Sequence, residues 1–259
     1  GELSTEGEFC CEINIFGTQV ALLASELSAA GRQGGGTLRL GGDTRGSDQA
    51  PTAQQTYIGK GVVLNASAPH RGDGGQIYIW SDESTNFYGS LRAQGGYQGG
   101  NGGFAEISSK RSLAYNGEVS LLANQGDIGT LLFDPNYVLI KDGADPGITT
   151  GNSIWFTLYE KTLEALSESS NIEIEANIDI VIENLTDNEL TLSPGSNLSI
   201  EADVNENGTG GFSMDASDTI RAPGGTVEIS AGYSTGYDLR AGAIDTSPVA
   251  GQIANGDIV

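Results

Sequence analysis

Gly35-Gly-Thr-Leu-Arg-Leu-Gly-Gly-Asp43 sets a glycine pair directly before a strand of alternating residues. Glycine followed by an alternating strand returns in Gly74-Gly-Gln-Ile-Tyr-Ile79, Gly102-Gly-Phe-Ala-Glu-Ile107 and Gly129-Thr-Leu-Leu-Phe133. A second alternating segment precedes each one and closes on small residues: Val20-Ala-Leu-Leu-Ala-Ser25, Val62-Val-Leu-Asn-Ala-Ser67, Ser90-Leu-Arg-Ala-Gln-Gly95 and Val119-Ser-Leu-Leu-Ala-Asn124. The sequence therefore reads as a repeat of two strands and two corners.

Gly36, Gly75, Gly103 and Gly129 lie 39, 28 and 26 residues apart, so the period drifts while the motif persists. A coiled chain whose corners carry loops of varying length gives this pattern, each strand stacking on its predecessor and alternate Leu, Ile and Val filling the interior. The corner glycines are expected to supply the positive φ of sharp bends. Gly-rich disorder would scatter the glycines, but here they keep phase with the apolar runs.

Beyond Pro135 the texture changes. Ser153-Ile-Trp-Phe-Thr-Leu-Tyr159 reads as a continuous apolar strand, and Thr162-Leu-Glu-Ala-Leu-Ser-Glu168 as one short helix capped by Thr162. Strand patterns resume at Ile172–Ala176, Ile178–Ile182, Leu190–Leu192, Leu198–Ala202, Phe212–Met214 and Val227–Ser230. One all-β architecture is expected throughout, with Gly-Gly corners over 1–140 and a helical insertion near 162–168 in 141–259.

Asp and Glu number 34 against 12 Lys and Arg, a net charge of -22. Nucleic acid, whose binding needs a basic face, is excluded as an expected partner. The acids are spread along the chain and read as a solvated surface. No run approaches the length of a membrane helix, and the first residues lack the basic start and apolar core of a signal peptide, so a mature or excised piece is expected. His70 is the sole histidine, which leaves imidazole metal sites and His-dependent triads nothing to draw on. No cofactor and no metal are expected.

The four glycine motifs in series resemble the downstream repeat region of filamentous-haemagglutinin-like exoproteins, most closely over residues 20 to 140 and more loosely to about residue 245. The resemblance implies a right-handed parallel β-helix, a solenoid. It also implies export by two-partner secretion through an outer-membrane transporter, a place outside the cell or on its surface, and roles in adhesion or biofilm matrix. The Asn-Pro-Asn motifs of the family's secretion domain are absent, which places this piece downstream of that domain. The four Asn-X-Ser/Thr sequons, at Asn65, Asn184, Asn197 and Asn207, are incidental in a bacterial chain.

Candidate contacts are few. Cys10 and Cys11 are adjacent and cannot bridge each other without strain, so they are buried thiols or intermolecular disulfides. Tyr78, Trp80, Phe87, Tyr88 and Tyr97 are dense enough to offer a sugar-binding strip, with strand packing as the plainer role. Arg71-Gly72-Asp73 is an integrin-type tripeptide that also reads as the corner before a strand. The carboxylates Asp43, Asp82, Glu83 and Glu106 are what a β-helical polysaccharide enzyme would need, yet Asp43, Asp82 and Glu106 fall at different phases of the repeat. Strand texture reaches both ends, at Glu12–Ile15 and Asp257–Val259, with no polar cap. The chain is therefore expected to continue into further repeats or to stack on like subunits. The expected function is a non-catalytic segment of an adhesin or matrix rod, contacting surface glycans or proteins. A self-assembling filament subunit and a carbohydrate-active enzyme are the alternatives.

Overall fold

The computed structural model describes residues 1–4, 7–8, 11–47, 50–147, 153–232 and 239–248. The expected strand at Asp257–Val259 lies outside them, as does Cys10. Among the described residues the protein is mostly β with one α-helix, and the strand pairs within each of its two units run parallel. It divides into two compact units, Gly1–Phe133 and the residues from Asp134 to Gly147 and from Ile154 on.

In the first unit three consecutive strands found three sheets: β1 (Glu2–Ser4), β2 (Glu12–Ile15) and β3 (Gln19–Leu22). Then β4 (Glu26–Ser28), β5 (Thr37–Leu40) and β6 (Gln55–Ile58) pair with them in the same order. The rotation repeats in β7 (Val63–Asn65), β8 (Gln76–Ile79) and β9 (Ser84–Phe87), and in β10 (Ser90–Arg92), β11 (Phe104–Ile107) and β12 (Ser112–Tyr115). Finally β13 (Glu118–Ser120) and β14 (Thr130–Phe133) extend the first two sheets.

Three strands per repeat replace the expected two. The third sheet leaves little trace in the sequence because two of its four strands are polar, Gln55-Thr-Tyr-Ile58 and Ser84-Thr-Asn-Phe87. The inward Thr56 and Thr85 are fully buried; Thr56 donates to the Trp80 carbonyl (2.7 Å) and Thr85 shares a hydrogen bond with Ser81 (2.8 Å). Val20, grouped by pattern with Val62 and Val119, lies instead in the third sheet opposite Thr56. The register partner of Leu64 is Leu27. Leu27, Leu64 and Leu91 line one wall of the core, and Leu38, Ile77, Ala105 and Leu131 line another. Burying each large side chain contributes roughly 1.5–3 kcal/mol.

Gly41, Gly72, Gly99 and Gly100 supply the positive φ expected of corner glycines, but those directly before the second-sheet strands have a different cause. Gly35, Gly36, Gly74, Gly75, Gly102, Gly103 and Gly129 all lie outside the left-handed φ region. They are required by space. The N–H of Gln76 donates to the Gly36 carbonyl (2.9 Å), that of Phe104 to Gly75 (3.0 Å) and that of Thr130 to Gly103 (3.1 Å). The backbones then pass so closely that a Cβ on Gly75 would stand 1.9 Å from the Gly36 oxygen, and one on Gly129 2.0 Å from that of Gly103.

The long first period comes from the loop between β5 and β6. Its Thr44–Gly46 turn is fixed by the buried Glu106 carboxylate, which accepts the Arg45 N–H at 2.9 and 3.1 Å. Gly42 and Gly46 lie against the Trp80 indole, where a Cβ would come within 2.7 and 2.4 Å of ring atoms.

The second unit opens with β15 (Tyr137–Lys141) and β16 (Trp155–Tyr159), paired in parallel. Burial in β16 alternates, with Phe156 and Leu158 inside and Ile154 before it exposed, so the segment is two-faced and not uniformly apolar in setting. Strand β16 runs straight into α1 (Glu160–Ser167), which starts earlier than expected. Tyr159 holds the cap position without a side-chain hydrogen bond, and Thr162 lies inside the helix. The first-turn Glu160 is buried, accepts the Gly143 N–H (3.1 Å) and pairs with Lys161, which fixes the start where Thr162 could not.

Rotation over three sheets then resumes. The repeats are β17 (Asn171–Ala176), β18 (Ile180–Ile182) and β19 (Glu189–Thr191); β20 (Leu198–Ala202), β21 (Phe212–Ser213) and β22 (Thr219–Arg221); and β23 (Val227–Ser230), β24 (Leu239–Arg240) and β25 (Ala243–Asp245).

Side-chain ladders tie successive corners in each unit. Asp73 accepts the Asn101 N–H (2.7 Å), and Asn101 Oδ1 accepts the Asp127 N–H (3.0 Å). In the second unit Asn171 accepts from Asn197 (2.9 Å) and Asn197 from Thr226 (2.8 Å). Asn101→Ala leaves the Asp127 N–H without its acceptor and is expected to cost about 1 kcal/mol, read as a lower midpoint in urea unfolding.

Candidate functional site

The five aromatic candidates are not brought together as a strip. Tyr78 and Trp80 are both under a tenth exposed. The Tyr78 ring carries the Arg39 guanidinium 5.8 Å from its centroid, and burial, followed by Asp43 and Glu106, raises its hydroxyl pKa. Phe87 is fully buried, and Tyr88 packs edge-on against Tyr57 at 5.7 Å. A sugar platform needs an open ring face, and of the five only Tyr97 has one, being 70% exposed. For Trp80 the difference lies in the loop before β6, whose glycines cover its ring.

The carboxylates are occupied separately. Asp43 pairs with Arg39 (3.0 Å) and accepts the Thr44 N–H (2.8 Å). Asp82 accepts the Thr52 hydroxyl (2.7 Å), Glu83 pairs with Arg111 (3.0 Å), and Glu106 holds the turn described above. The tripeptide is a stacked corner: Arg71 N–H donates to the Arg32 carbonyl (3.1 Å), Gly72 N–H to Gly99 (2.8 Å), and the Asp73 carboxylate is the first member of its ladder. Gly72 has φ +95, and a Cβ there would stand 2.2 Å from the Gln33 oxygen. Cys11 is half-buried; the disulfide expectation for its neighbour Cys10 falls outside the described residues.

What remains around Tyr97 is a groove of about 360 Å³ beside the ends of β7, β10 and β13. Asn65 and Arg92, register partners on the paired strands β7 and β10, line it together with Gln94, Leu122 and Asn124. Asn65 Oδ1 accepts the Ser67 N–H (3.1 Å), Ser67 Oγ accepts the Gln94 N–H (3.1 Å), and Gln94 Nε2 donates to Ser120 Oγ (2.7 Å). Tyr97 is held from both sides: Gly96 N–H donates to the Gly72 carbonyl (2.9 Å) and Gln98 N–H to that of His70 (2.8 Å). The sequence could not separate Tyr97 from the other four rings, because exposure here depends on which corner carries a covering loop.

A search of protein-family models and of curated proteins finds no match to the chain.

A loop in the second unit went unread in the sequence. Asp203-Val-Asn-Glu-Asn-Gly208 has the Asp-x-Asn-x-Asn-Gly spacing of calcium loops, although Met214 stands where such loops place their closing glutamate. Asp203, Asn205 and Asn207 are the residues that could face an ion there. In the structure both Asp203 oxygens accept loop amides, from Asn207 (3.2 Å) and Gly208 (2.9 Å). Among the described residues no three His, Cys, Asp or Glu side chains converge as a metal site.

Asp218, buried ahead of β22, accepts the Leu185 N–H (3.1 Å) with one oxygen while the other has no hydrogen-bond partner. Burial, assisted by the charges of Asp215, Asp187 and Asp142, raises its pKa above the ordinary 3.8 and outweighs the Leu185 amide. The folded state thus binds this proton more tightly than the unfolded state does. The associated stability is fully present below 3.8 and is lost as the pH climbs through the raised value. Relative to the natural chain, Asp218→Asn is expected to gain melting temperature progressively as the pH rises from 3.8 through the raised value, read by calorimetry.

Proposed function

We propose that the chain is a non-catalytic structural segment of a secreted bacterial surface adhesin or extracellular matrix rod, wound as a right-handed parallel β-helix. The observation that carries this reading is the rotation of consecutive strands over three sheets within each unit, β1 to β14 in the first and β17 to β25 in the second, with strands of successive repeats in parallel register. A chain built this way gains length by adding repeats and offers its outward side chains in long columns, which is what a spacer that displays contacts requires. The resemblance of the glycine motifs to filamentous-haemagglutinin-like exoproteins supports two-partner secretion and an extracellular place. The separate engagement of Asp43, Asp82, Glu83 and Glu106 favours a role without chemistry over a carbohydrate-active enzyme.

Three measurements test the reading. Antibody against the chain labels intact producing cells if it is displayed outside them. Incubation with pectin, alginate, xylan and chitin releases no reducing ends or unsaturated products. Electron microscopy and non-reducing electrophoresis show single particles. Turnover abolished by Asp82→Ala or Glu106→Ala would replace the proposal with an enzyme, and reductant-sensitive filaments would replace it with a polymerising subunit.

A further inference from the structure

We infer that the groove beside Tyr97 binds an uncharged, pyranose-based oligosaccharide. The inference deepens the adhesive reading and rests on it for the setting in which the ligand is met, while the groove's chemistry stands by itself.

A pyranose has an apolar C–H face and a rim of hydroxyls, so its site combines an open aromatic ring with planar amides and hydroxyls. The groove has that composition. Tyr97 presents its ring at 70% exposure, and Leu122, at 41%, adds apolar surface nearby. Asn65, Gln94 and Asn124 bring amides, and Ser67 a hydroxyl. The volume of about 360 Å³ falls within the range of small-ligand sites.

The site is also prebuilt. The backbone amides on either side of Tyr97 are bonded to the neighbouring corner, and a Cβ on Gly96 would stand 2.4 Å from the Arg71 Cα. Little backbone freedom is left to lose on binding, and a tyrosine side chain has few torsions to freeze.

Charge selects the neutral ligand over an acidic one. The lining contains no carboxylate, and its single cation, Arg92, has Glu26 at 3.9 Å. The whole chain carries -22, a field that repels polyanions before they arrive. A peptide adding as a strand is disfavoured too, because β10 at the groove is already paired on both sides, with β7 and β13.

The test uses the full chain in calorimetric titration against cellohexaose, xylohexaose, mannohexaose and chitohexaose, with a heparin hexasaccharide and an oligogalacturonate for comparison. At least one neutral hexasaccharide is expected to bind saturably, with affinity unchanged between low and high salt. Tyr97→Ala is expected to weaken it on the order of tenfold. Gln94→Ala is expected to weaken it as well, whereas Tyr57→Ala, outside the groove, leaves it intact; melting curves confirm that all three variants fold. Binding of the acidic probes alone, loss of binding in salt, indifference to Tyr97→Ala, or no neutral binder would each overturn the inference. Attachment of producing cells in the absence of any neutral binder would sink the groove while leaving the adhesive reading in place. Glycan binding by a chain never found outside the cell would do the reverse.

Discussion

Gly75→Ala is expected to be among the most damaging conservative changes in the protein, lowering stability by about 2–3 kcal/mol and the melting temperature by roughly 5–10 °C. The added methyl would stand 1.9 Å from the Gly36 carbonyl oxygen, 2.7 Å from the Gly35 carbonyl carbon and 2.8 Å from the Gly36 nitrogen. All three are backbone atoms, so no side chain can swing away. Relief would require separating two repeats that are hydrogen-bonded through Gln76 N–H and the Gly36 carbonyl. Gly34→Ala is the control, since nothing lies within 4 Å of the place its methyl would take and its φ is ordinary; a change within about 0.5 kcal/mol is expected there. If thermal unfolding finds the two variants alike, close stacking is not why glycine recurs at these corners.

The residues of this column were legible in the sequence, but their reason was not. Glycine before an alternating strand marks a corner whether it is there for a bend or for lack of room, and only the neighbouring repeat's backbone distinguishes the two. The strands of the second sheet could be read because Leu38 and Leu40 alternate with Thr37 and Arg39, and Ile77 and Ile79 with Gln76 and Tyr78. The third sheet could not, since Thr56 and Thr85 face inward and satisfy their hydroxyls on the Trp80 carbonyl and Ser81. At the candidate site the chemistry of Tyr97 was visible, whereas its exposure depends on the path of chain segments far from it in sequence.

Phe87→Ala is the second large effect, with an expected loss of about 3–5 kcal/mol. Phe87 is wholly buried and stacks on Tyr115 with centroids 5.8 Å apart and planes 9° from parallel. Tyr115 in turn meets Phe133 edge-on at 5.2 Å. Truncation opens a void beside the Tyr115 ring, which cannot close it because its hydroxyl is tethered to the Gly117 carbonyl (3.0 Å) and its ring is held edge-on by Phe133. Phe87→Leu keeps most of the volume and should cost under about 1.5 kcal/mol, while Tyr115→Phe removes only the tether, at about 1 kcal/mol. Urea unfolding with unchanged slope would assign these losses to the folded core. A Phe87→Ala protein as stable as the natural chain would contradict the packing described.

The glycine-lined loop over Trp80 also supplies a spectroscopic label. The chain has two tryptophans, and they fall one to each unit: Trp80 sealed beneath Gly42 and Gly46, Trp155 only half covered, its ring 4.9 Å from that of Tyr137. Their emission therefore differs in colour and in access to quenchers, so the melting of each unit can be followed separately in one cuvette without attaching a dye.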